Sequence, residues 1–191
     1  MNIIEEVQKA SGHATVQKID PNTQAPKAQN ESLPSQLSQA VVPVILTGLY
    51  KYTRSEEHAK NILRGNNATN TTWTDEIFGN QSDDIVSHVA SYAHVGKEQA
   101  ETAMDDAAQG AMRVTKDKLG NNATAAGVSN FFKDHRSEIL KHLPAALQLG
   151  YLINDNTLDD RTNKMEGPMS GIMHTFEKLF SDSDANDSSK Q

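Results

Sequence analysis

The sequence predicts an all-α protein, a multihelical orthogonal bundle of about seven or eight helices around two Pro-containing apolar helices. Three observations carry this. No stretch alternates apolar and polar residues with period two, whereas apolar residues recur at three- and four-residue spacing along much of the chain. Two stretches share one plan, residues 40–50 (AVVPVILTGLY) and 139–153 (ILKHLPAALQLGYLI). Each has an apolar residue before a proline (Pro43, Pro144), then an apolar run, then a glycine (Gly48, Gly150) and a tyrosine (Tyr50, Tyr151). The chain of 191 residues is also long enough for one domain with a sizeable core.

Each element has its own justification. Residues 2–10 form a short amphipathic helix with Ile3, Ile4 and Val7 on one face. Residues 11–35 carry Pro21, Pro26 and Pro34 and few large apolar groups, which reads as a linker. The domain organisation expected is therefore a short helix and flexible linker over 1–34, a helical domain over 35–180 and a disordered tail over 181–191. The first apolar helix covers 36–52, with Leu37, Ala40, Val41, Val44, Ile45, Gly48 and Leu49 in helical register and Pro43 in its interior. Thr53-Arg54-Ser55-Glu56 offers a capping box for a helix over 55–64, stopped by Gly65. A short turn of helix at 73–79 is capped by Thr74, and Ser82 caps the next helix, whose Asp83 and Asp84 suit an N-terminus. Residues 97–119 show the clearest helical stripe: Ala100, Ala103, Met104, Ala107, Ala108, Ala111, Met112 and Val114. A short helix over 124–133 buries Val128, Phe131 and Phe132, and Asp134 caps the central apolar helix that runs to Ile153. After a polar acidic loop, Pro168 opens a last amphipathic helix.

Composition limits the function classes. With no cysteine, disulfides, thiolate metal sites and cysteine nucleophiles are excluded. The net charge of −7 disfavours non-specific attraction to phosphate backbones and anionic lipid. The first residues, MNIIEEVQKA, lack the basic and long apolar regions of a secretory signal, and no run approaches the roughly 18 apolar residues of a membrane span. A soluble cytoplasmic protein is the expectation.

Residues 40–64, AVVPVILTGLYKYTRSEEHAKNILR, resemble the bacterial domain of unknown function 937, the YidB-like family, in their apolar helix with an internal Val-Pro, the glycine after it and the following Glu- and Ala-containing helix. Residues 95–104, VGKEQAETAM, are similar to that family's helix start, with Gly96 where its pattern usually has Ser and so with a weaker cap. The resemblance implies a multihelical bacterial domain. It implies no activity and lends no functional positions.

Candidate chemistry is sparse. Asp155, Thr157, Asp159, Arg161, Asn163 and Glu166 fall at positions 1, 3, 5, 7, 9 and 12 of an EF-hand-like loop, so Asp155, Asp159 and Glu166 are candidate calcium ligands. Asp160 stands where the turn needs Gly, and the competing reading is a solvated loop in which Asp155 or Asp159 caps a helix. His135 and His142, with Glu138 between them, share a helix face and form the best zinc set, against a wet charged face as the alternative. There is no GxSxG elbow, no phosphate-binding glycine loop, and the acidic pairs are adjacent residues that diverge on a helix. The helix pair at 83–93 and 97–119 has helix-turn-helix spacing. Its second helix starts acidic, and its basic cluster of Arg113, Lys116 and Lys118 lies at the C-terminal end, where it suits the dipole. Nucleic acid is therefore the second reading and an undetected hydrolase the third. The leading expectation is a non-enzymatic module without cofactor, acting through a protein partner or a second copy of itself. Met169, Ile172, Met173, Phe176 and Phe180 are its candidate partner surface, unless the domain buries them as core.

Overall fold

The computed structural model of the chain describes residues 2–20, 32–65 and 71–159. These form helices α1 (Ile3–Ser11), α2 (Leu33–Tyr52), α3 (Glu56–Arg64), α4 (Trp73–Phe78), α5 (Ser82–Ala93), α6 (Lys97–Leu119), α7 (Ala125–Leu140), α8 (Leu149–Leu152) and α9 (Asn156–Asp159). Single 3₁₀ turns lie at Gly79–Gln81 and Ala145–Leu147. There is no strand among the described residues, and the protein is an all-α bundle.

Helix α2 is the centre. Every residue from Leu37 to Leu49 is buried, including Ser38, Gln39 and Thr47, so the helix is enclosed on all sides rather than amphipathic. Its neighbours are α1, α4, α5, α6 and α7. Pro43 sits inside it without ending it. At Gly48 the chain needs the absence of a side chain, since a Cβ there would lie 2.5 Å from the Phe78 ring and 2.7 Å from Ile77 Cγ2. That close approach lets α4 pack onto α2. The small-residue stripe of α6 is buried as expected, and Gly110 extends it. A Cβ on Gly110 would stand 2.8 Å from the Cβ of Ser11, so the glycine sets how closely α1 sits on α6.

The second apolar stretch is not the central helix expected of it. Helix α7 runs without interruption through Asp134, which is therefore no cap, and Thr124 Oγ1 caps the merged helix by accepting the Gly127 N–H at 3.0 Å. The helix then stops. Pro144 has no N–H to give the Leu140 carbonyl and pushes Leu143 away from helical geometry. Only a 3₁₀ turn follows, then Gln148 in the left-handed region (φ 47°), the single turn of α8 and a second left-handed residue, Asn154 (φ 52°). The bundle thus has one Pro-containing apolar helix, not two.

The break frees carbonyls that the fold then uses. Lys141 O accepts the Ile19 N–H at 2.9 Å, and His142 O accepts the Gln39 amide at 3.0 Å. Gln39 also pairs with the backbone of Gln17, accepting its N–H at 2.7 Å and donating to its carbonyl at 3.0 Å. Ser38 Oγ accepts the Ala14 N–H at 3.0 Å. Residues 13–19 are in this way fastened to α2. Upstream, α1 buries Ile3, Ile4 and Val7 against α6, α2 and α7, with Asn2 as N-cap and Gly12 (φ 73°) as its left-handed end. The packed domain therefore begins at the first helix rather than near Ser35, because Gln39 and Ser38 supply hydrogen bonds that make an extended segment part of the core.

Three caps differ from expectation. Thr72, not Thr74, caps α4, and the Thr74 hydroxyl donates to Asp105 Oδ1 at 2.6 Å. Ser55 precedes α3 but makes no side-chain cap bond, and Ser82 lies inside α5, donating to Asp75 Oδ1 at 2.6 Å.

Candidate functional site

The densest charged arrangement is built where the C-terminal end of α2 meets α7 and α9. Tyr50 and Lys51 lie in the last turn of α2, Arg54 in the turn beyond it and Arg136 on α7. Both guanidinium groups lie over the Tyr50 ring, at 4.5 Å (Arg54) and 5.7 Å (Arg136) from its centroid. All three cations reach the same short segment. The Lys51 ammonium donates to the Ile153 carbonyl and Arg136 Nη2 to the Thr157 carbonyl. Arg54 Nη1 stands 2.8 Å from Asp155 Oδ2, and its Nη2 donates to Thr157 Oγ1 at 3.3 Å.

Asp155 is buried, and its Oδ1 accepts from both Thr157 N (3.1 Å) and Thr157 Oγ1 (2.6 Å). Burial alone pushes its carboxyl up, but the Thr157 donors and the Arg54 charge outweigh it and hold the group below the usual carboxylate value. Of the three candidate calcium ligands, Asp155 thus already has a donor set from this chain: it caps the start of α9 and pairs with Arg54. Asp159 ends α9, at the edge of the described residues, and Glu166 lies outside them. The candidate partner residues Met169, Ile172, Met173, Phe176 and Phe180 likewise lie outside the described residues.

The histidine set does not converge. His135 Nδ1 pairs with the Phe131 carbonyl at 2.7 Å and His142 Nδ1 with the Glu138 carbonyl at 2.8 Å, each one turn back along the helix. His142 is buried, which holds its imidazole below the ordinary value against the pull of Glu138. Among the described residues no three His, Asp or Glu side chains are grouped to hold a metal ion.

Two polar clusters escaped the sequence because their members come from separate elements. In the first, the Tyr52 hydroxyl donates to Glu76 Oε1 at 2.5 Å, Asn61 lies 3.4 Å from both, and the His58 ring stacks on Tyr52 with centroids 4.1 Å apart. Burial and the Glu76 acceptor push the Tyr52 phenol far up, so it remains a donor and ties α2 to α4. In the second, an open depression of about 520 Å³ is lined by residues including His13, Glu98, Thr102 and Asp106. His13 Nε2 donates to the Ala103 carbonyl at 3.0 Å and Nδ1 faces Ser38 Oγ at 3.3 Å. Burial keeps this imidazole below its ordinary value, against the Ala103 carbonyl and the Asp106 charge.

Two of the basic residues clustered near the end of α6 have structural partners. Arg113 Nη2 donates to the Ala10 carbonyl and Lys118 pairs with Glu6 at 3.4 Å, both on α1. The one large apolar side chain that is exposed among the described residues is Tyr151 of α8, at 76%. No helix among them is long and apolar enough to cross a membrane. Comparisons with protein-family models, with curated proteins and with solved structures find no match.

Proposed function

We propose that this chain is a non-enzymatic helical module that acts through contact with a protein partner or a second copy of itself. The observation that supports the reading best is Tyr151. A domain that encloses α2 on every side leaves this ring in solvent, on a short helix anchored by buried Leu149 and Ile153. Aromatic rings presented by a rigid support are favoured anchors of protein interfaces, since they bring a large area with few rotatable bonds. In this reading residues 169–180 contribute the second apolar element of the contact. The cluster of Tyr52, Asn61 and Glu76 fits the same reading, because its donors and acceptors tie α2 to α3 and α4.

The test is sedimentation velocity over a concentration series, with cross-linking of the chain in its native extract, for wild type and Tyr151→Ser. The reading expects an association that Tyr151→Ser weakens at least tenfold with an unchanged melting temperature. A monomer at every concentration, together with no cross-link from the α8 face, would overturn it. The kinship proposed with the YidB-like family rests on residues 40–64 and 95–104, which contribute α2, α3 and the start of α6. It carries with it a bacterial setting; a cytoplasmic location is proposed separately, and cell fractionation of the source organism checks it.

A further inference from the structure

We draw no further inference here: the strongest candidate, the cluster of Lys51, Arg54 and Arg136 around Tyr50 at the C-terminal end of α2, belongs to the site already described, spends its cations on Ile153, Asp155 and Thr157 of the same chain, and has nothing beside it that shows what ligand would displace them.

Discussion

Gln39 is a polar side chain with no solvent exposure in the middle of the most apolar helix, and replacing it by Leu tests the account of the fold. Leu fills nearly the same volume, so the cavity term is small. What is lost is three hydrogen bonds, two to Gln17 and one to His142. Each is worth about 1 kcal/mol net, and the partners left behind are backbone groups that α2 shields from water, so the expected loss is about 2–4 kcal/mol. For a domain of this size that corresponds to a fall in Tm of roughly 5–15 °C. Gln39→Glu should cost more at neutral pH, since it can still accept from Gln17 N–H but cannot donate to either carbonyl and buries a charge. Urea unfolding followed by far-UV circular dichroism measures the loss. Hydrogen exchange at Gln17 and Ile19 reports whether residues 13–19 come away first. Gln109→Leu, on the exposed face of α6, is the control and should change stability by less than about 0.5 kcal/mol. A Gln39→Leu variant within about 0.5 kcal/mol of wild type, with Ile19 still protected, would refute the reasoning.

Three further outcomes follow from the geometry. Leu147, at 2% exposure in the turn packed on α5, should not tolerate Asp: the buried carboxylate costs several kcal/mol, of the order of the whole stability, and Leu147→Asp should lack a cooperative melt. Gly48→Ala places a methyl 2.5 Å from the Phe78 ring and should cost about 1–3 kcal/mol by thermal denaturation, relieved in part by Phe78→Leu. His13 and His142 both have folded-state values depressed below 6.5, so the unfolded chain takes up protons that the native chain refuses. Stability should therefore be complete above pH 6.5 and fall as pH drops below it, by up to about 1.4 kcal/mol per pH unit for each histidine, until the folded-state values are reached. His142→Asn should flatten that slope in pH-dependent urea titrations, and an unchanged slope in His13→Asn/His142→Asn would show that other groups set it.

Where local pattern and tertiary context agree, the sequence was readable. The stripe of α6, the register of α2 and the glycine stops at Gly65 and Gly120 depend on spacing and on single residues. The ranking of the two apolar stretches was not readable. Pro43 and Pro144 sit in similar local sequences, yet one lies inside a continuous helix and the other ends one. The difference is long-range: α2 is surrounded by five helices, whereas the carbonyls freed before Pro144 find Gln39 and Ile19, residues more than a hundred positions away. The docking of residues 13–19 was hidden for the same reason, because a polar segment with few apolar groups gives no sign that Ser38 and Gln39 will receive it. At the candidate site, the capping alternative for Asp155 was legible. Its pairing with Arg54 and the placing of Arg136 over Tyr50 were not, since they join elements whose approach only the fold determines.

The enclosure of α2 also has a consequence in time. Its bond from Gln39 reaches a residue 103 positions further on, and α7, one of its main neighbours, is not complete until Leu140. On a ribosome adding about 5–20 residues per second, the most apolar helix of the chain is made roughly 5–20 s before its last covering element. A newly made chain therefore carries an exposed apolar segment with a strongly β-branched sequence, VVPVI, until α7 is made. Pro43, at the centre of that segment, cannot donate to a strand ladder, and it guards the unfinished chain against edge-to-edge association.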